Sequence, residues 1–174
     1  MSKLINTKEN NSIKKHFKGF DKILAVLLII GIIAISGFIL YSFFTPEPGY
    51  ITLGLLNSDK KAENYPTNTT IGENVTFYVT VGNYLNRDFS FRIEILTGNN
   101  ETEIGSSGSL NATSYLNAST TDLSHGETWI SNEFNVSFWE TGYNKIVIAE
   151  LWETDIGLND KYWEIVTMHL NITA

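Results

Sequence analysis

The 174-residue chain predicts an all-β antiparallel sandwich of about seven strands, preceded by one transmembrane α-helix. Three observations predict it: one uninterrupted apolar run near the N-terminus, strict two-residue alternation after it, and turn residues spaced between the alternating runs.

The apolar run is Ile23 to Phe44, ILAVLLIIGIIAISGFILYSFF, without a charge. At about 1.5 Å per residue it spans roughly 33 Å, enough to cross the hydrocarbon core of a bilayer. A soluble helix of this length keeps a polar face, and this one has none. Residues 1–22 hold six of the 12 basic residues and only Glu9 and Asp21 of the 19 acidic ones. The positive-inside rule then predicts a cytoplasmic N-terminus. The expected organisation is a lysine-rich cytoplasmic tail at 1–22, the transmembrane helix at 23–44, a Pro/Gly linker at 45–49 and an extracytoplasmic β-sandwich at 50–174. Two competing readings exist for the run. One is a signal peptide cut before Gly37, after the small residues Ala34 and Ser36; the other is a pilin-like processing site at Lys18-Gly19 before Phe20. The first would expose FILYSFF as a new N-terminus, and the second places Asp21 and Lys22 at the start of the mature helix. Both features favour an intact signal-anchor.

After the linker the period becomes two. Val75, Phe77, Val79 and Val81 alternate with Asn74, Thr76, Tyr78 and Thr80, and Phe89, Phe91, Ile93 and Ile95 alternate with Ser90, Arg92 and Glu94. Each run is a strand with one buried face, and Gly82, Asn83, Asn86, Arg87 and Asp88 join them as a hairpin. Further strands are expected at 50–56, 128–138, 145–152 and 162–172. The 145–152 run is apolar on both faces, which predicts a central strand. Residues 98–127, rich in Asn, Ser, Thr and Gly, read as long exposed loops with at most one weak strand.

Composition excludes several chemistries. There is no cysteine, hence no disulfide, thiolate metal site or cysteine nucleophile. The acidic outer part repels phosphate backbones, so nucleic acid is not an expected partner. His16, His125 and His169 form no triad or metal-ligand spacing. Glu150 and Glu153 read as a solvated pair. Asp155, Asn159 and Asp160 offer oxygen ligands for calcium, but their spacing is not that of an EF-hand and reads as a turn. Trp129, Trp139, Trp152 and Trp163 read as core filling in preference to a sugar-stacking platform. No catalytic residue, metal site or cofactor is expected.

What repeats is the N-glycan acceptor motif N-x-S/T, at Asn68, Asn74, Asn100, Asn111, Asn117, Asn135 and Asn171. Asn74, Asn135 and Asn171 fall on the polar phase of their strands and the other four in expected loops, as surface acceptors require. Asn10 also carries the motif, on the side expected to be cytoplasmic and bare.

Tyr65-Pro66-Thr67-Asn68 followed by Gly72-Glu73, with a late Gly142-Tyr143 before a strand, carries a resemblance. Over about residues 50–173 the chain resembles the C-terminal domain of an archaeal membrane-protein family, domain of unknown function family 1616. More distantly it is similar to the immunoglobulin-like adhesion modules of prokaryotic surface proteins. The resemblance implies an immunoglobulin-like sandwich at a membrane and no catalytic residue. Many members carry several transmembrane helices, whereas one is present here. The expectation is a membrane-anchored cell-surface glycoprotein, not an enzyme, whose partners are the lipid bilayer and another envelope protein or surface glycan. An accessory subunit of a larger membrane complex and a pilin-like filament subunit are the alternatives.

Overall fold

The computed structural model describes residues 2–45, 48–154 and 160–174, with side chains described from Phe20 onward. It separates into two compact units, Met1–Glu47 and Pro48–Ala174. The first is one helix, α1 (Ser2–Phe44). Its apolar stretch Phe20–Phe44 is long enough to cross a membrane, and none of it is buried against protein. Large apolar side chains point outward around its whole circumference, from Ile23 and Leu24 to Phe43 and Phe44. In water such a surface is costly, and in hydrocarbon it is the rule.

The second unit contains β1 (Ile51–Leu56), β2 (Asn68–Thr70), β3 (Asn74–Asn83), β4 (Phe89–Gly98), β5 (Glu103–Gly105), β6 (Gly108–Leu110), β7 (Thr113–Asn117), β8 (Thr121–Leu123), β9 (Thr128–Ile130), β10 (Phe134–Ser137), β11 (Gly142–Glu153) and β12 (Lys161–Thr173). One sheet has β3 at its centre, flanked by β1 on one side and by β9 and β10 on the other. The second runs β2-β12-β11-β4, with β7 and β8 along the far edge of β4. All pairings in these two sheets are antiparallel except β2 with β12. The chain therefore pairs in one sheet as β1, crosses over through residues 57–67, and pairs parallel in the other as β2. Together with a three-position sheet packed on a five-position one, this is an immunoglobulin-like sandwich.

The predicted alternation maps onto this architecture. The odd residues Val75 to Val81 of β3 and Phe89 to Ile95 of β4 face each other across the core with Val147, Ala149 and Leu151 of β11 and Leu170 and Ile172 of β12. β11 lies between β12 and β4, as its two apolar faces predict. Its second face carries Ile146 and Ile148, which cluster with Leu96 under Ala112 and Ile165.

The structure departs from the sequence reading in two places. Residues 128–138, expected as one strand, break into β9 and β10. Ile130 lies opposite Thr80 and Phe134 opposite Phe77, so three residues face two. The extra residue is a bulge, and it flips the inward phase from Trp129 and Ser131 to Phe134, Val136 and Phe138. Ser131 fills the gap in the ladder: its N–H donates to Val79 O at 2.9 Å, and its Oγ accepts from Val79 N at 2.9 Å. The second departure is residues 98–127, which hold β5 to β8 and not open loops alone. β7 and β8 follow β4 with a similar extra residue between them, bridged by Ala118 N donating to Ile93 O at 2.8 Å.

Candidate functional site

The seven acceptor asparagines occupy exposed positions except Asn171, which is half-buried. Asn68 and Asn117 sit in short strands, not loops. Side-chain bonds link several of them. Asn171 Nδ2 donates to Asn68 Oδ1 at 3.3 Å, Asn144 N donates to Asn171 Oδ1 at 3.1 Å, and Asn144 Nδ2 donates to Asn100 Oδ1 at 2.6 Å. His169 Nδ1 meets Asn144 Oδ1 at 2.8 Å. Asn171 and Asn100 thus both bond Asn144, with Asn68 joined through Asn171; Asn144 is a positive-φ residue at the start of β11 that the sequence reading passed over. Asn74 and Asn135 lie near each other on the outer face of β3 and β10, bonded to Ser137 Oγ and Thr76 Oγ1, each at 2.6 Å. Asn111 and Asn117 stand apart.

Their placement along the sandwich is one-sided. The near end is where the chain joins β1: Ile51 opposite Asn83, the 84–88 turn, the 124–127 turn and Leu123 opposite Phe89. No acceptor lies there. Asn117 is at mid-height, opposite Glu94, and the other six belong to the far half.

The Tyr-Pro-Thr-Asn…Gly-Glu segment is the crossover between sheets. Tyr65 Oη donates to Leu55 O at 2.7 Å, Asn171 N to Thr67 O at 2.9 Å, and Gly72 N to Phe138 O at 2.9 Å. Gly72 has φ +77, a conformation that favours glycine, and Trp139 lies over it, 3.3 Å from where a Cβ would stand. Glu73 Oε2 accepts from Thr70 N at 3.2 Å and from the Thr70 and Thr69 hydroxyls. These bonds, the Thr70 N–H first, hold its carboxyl below the usual carboxylate range. The segment borders a polar cleft of about 380 Å³ and an apolar crevice of about 220 Å³. The crevice runs between Leu55 and Tyr65 on one side and Val166 and Met168 on the other.

Glu150 is not a solvated carboxylate. It is 2% exposed on the outer face of β11, beneath the β5–β6 hairpin. Its Oε1 accepts from Ser109 N at 2.6 Å and from the Ser109 hydroxyl, and its Oε2 accepts from Trp152 Nε1 at 3.1 Å. A charged residue inside a strand apolar on both faces was the signal in VIAELW. Burial, then the charges of Glu150 and Glu164, raise the Tyr162 hydroxyl above its usual value. Arg92 bonds Glu94 at 3.0 Å and Asp160 at 2.6 Å. Asp160 is thereby engaged in an ion pair, and Asp155 and Asn159 lie outside the described residues. Among the described residues no cluster of His, Cys, Asp and Glu could hold a metal ion.

The tryptophans divide. Trp129 and Trp163 pack on the core against Phe91 and Phe89. Trp152 lies on the outer face, with Arg92 5.1 Å over its ring. Trp139 is 77% exposed, against the expectation of core filling, and Tyr143, also at the far end, is 84% exposed. His125 accepts from Asn86 N at 3.1 Å and has no carboxylate partner among the described residues.

A profile of the family described as "Domain of unknown function (DUF1616)" matches residues 47–149. The chain belongs to the DUF1616 family. No curated protein matches it. Among solved structures it is similar to the CARDB domain of the PF1109 protein from Pyrococcus furiosus, crystallised in complex with di-metal ions. That likeness has 15% identity, 75% of this chain and 93% of that one, and a TM-score of 0.45. It is also similar to the C-terminal domain of wzt, at 13% identity, 75% and 80% coverage and a TM-score of 0.46. A β-glucosidase from Listeria innocua matches at 11% identity, 71% of this chain, only 16% of that one and a TM-score of 0.44. Likenesses this loose transfer no ligand, metal or reaction to the DUF1616 chain.

Proposed function

We propose that this DUF1616 protein is a single-pass, membrane-anchored surface protein with a cytoplasmic N-terminus. Its noncatalytic immunoglobulin-like outer domain carries N-glycans and binds another envelope protein or a surface glycan. The observation that carries the reading is the pairing of a helix apolar on every side with a sandwich whose acceptor asparagines are almost all exposed. The lysines before the helix support the orientation. For the partner surface the favoured part is the far end, where Trp139 and Tyr143 stand in solvent. Exposed aromatic side chains of that size are the residues that anchor interfaces and stack on sugars.

Intact mass and N-terminal sequencing of protein extracted from its native membrane test the reading together. A full-length chain with mass added at the outer acceptors supports it. A start at Gly37 makes the protein secreted, a start at Phe20 makes it a filament subunit, and an unmodified full-length mass removes the glycans while keeping the anchor.

A further inference from the structure

We infer that the near end of the sandwich seats on the lipid headgroups of the membrane that α1 crosses, through Tyr50 and Tyr84, and that it fits neutral or zwitterionic headgroups better than anionic ones. The inference rests on the anchor reading above and on three observations independent of it.

The first is the tether. Thr45 is still tied to the helix, its N–H and hydroxyl both donating to Tyr41 O at 2.9 and 2.7 Å. At the other side Gly49 is clamped to the 84–85 turn. A Cβ there would stand 2.5 Å from Leu85 Cα and 2.8 Å from Tyr84 O, and Tyr84 N donates to Tyr50 O at 2.9 Å. Only Pro46, Glu47 and Pro48 separate the two fixed points. At about 3.5 Å per residue this reaches roughly 14 Å at most, against a headgroup layer of about 5–8 Å per leaflet, so contact with the headgroups is within the tether's reach.

The second is the surface presented there. Tyr50 is 56% exposed and stacks on Tyr84 with centroids 4.8 Å apart. Amphipathic aromatic rings are the side chains enriched at the membrane–water boundary. The third is the absence of acceptors. Every N-x-S/T of the sandwich lies at mid-height or beyond, and the near end is bare. A surface pressed to lipid has no room for a glycan, whereas the far half does.

Charge selects the headgroup. Beyond the Arg87–Glu153 and Arg92–Asp160 ion pairs, the described near-end residues Asp88, Asp122 and Glu127 outnumber Lys161. An acidic surface is repelled by an anionic leaflet over about a Debye length, near 10 Å at moderate salt.

The chain has no cysteine, so single labels can be placed at will. The full chain in phosphatidylcholine nanodiscs containing nitroxide-headgroup lipid would carry one fluorophore at Asp88→Cys, near end, or at Glu140→Cys, far end. The expected result is several-fold stronger quenching at the near-end label, reduced in phosphatidylglycerol discs and in a Tyr50→Ser/Tyr84→Ser variant that melts as the parent does. Equal quenching at both labels overturns the seating. Unchanged quenching in the double variant overturns the role of the tyrosines, and stronger quenching in the anionic discs overturns the headgroup assignment. Alkaline carbonate extraction of native membranes separates the two readings: release of the chain overturns the anchor and the seating with it, and retention with equal quenching overturns the seating alone.

Discussion

The outer faces of the two sheets differ although both are built on the same two-residue alternation. On β3 and β10 the outward residues Asn74, Thr76, Asn135 and Ser137 pair with one another by hydroxyl and amide bonds and stay in water. On β4 and β11 the outward residues Leu96, Ile146, Ile148 and Glu150 are buried, because Ala112 and the β5–β6 hairpin lie over part of them. The first face needs only its own side chains. The second depends on a polar, glycine-rich segment folding back to exclude water and to satisfy a carboxylate. A sheet face is therefore solvent or core according to what the following chain supplies, not only according to its own pattern.

Substitutions test that dependence in order of size. Ile148→Ala empties a fully buried site on the covered face and should cost about 2–5 kcal/mol by urea unfolding. A cost near zero would mean the cover is not packed in solution. Glu150→Ala leaves the Ser109 and Trp152 N–H groups without a partner and should cost about 1–3 kcal/mol. Amide exchange should then quicken at Ser109 and not in β3, whereas uniform quickening would make the effect global.

The turn that joins the two faces gives a pH signature. Glu73 is held below its ordinary value of 4.5 by the Thr70 N–H and the Thr70 and Thr69 hydroxyls. Its contribution is therefore present in full above pH 4.5 and is lost as pH falls below that value through the folded pKa. Glu73→Gln should make the urea midpoint fall less steeply with acid, and an unchanged slope would show the turn bonds to be silent. The smallest effect belongs to the open face. Tyr78→Phe removes a hydroxyl that reaches Glu133 at 3.3 Å in solvent and should stay within about 0.5 kcal/mol of the parent. A larger loss would mean that this face too is covered.

Much of this was legible in the residues themselves. Alternation placed Val75 to Val81 and Phe89 to Ile95 on the core side, and the doubly apolar run at 145–152 identified β11 as central. The break at Ser131 was hidden: Ile130 shares the even phase of Phe134, Val136 and Phe138, so the run passes for one strand, although Ile130 is exposed and Trp129 packs on the core. The β5 to β8 segments were not legible, because their side chains bury little of their own surface and their composition is that of turns. Asn68, Asn100 and Asn171 were visible as separate motifs, but the bonds that link them through Asn144 and Asn171 join residues far apart in the chain.

The sequence by itself determined an apolar helix followed by a two-layer β domain, since period and hydrophobicity are local properties that any fold of this chain must satisfy. Only the tertiary structure decided that Glu150 is sheltered, that Trp139 and Tyr143 are bare, and that the acceptor asparagines avoid the end where the chain joins the sandwich. Exposure is set by which distant segment comes to lie over a residue. That depends on pairings such as β4 with β7 and β2 with β12, whose registers no local pattern encodes.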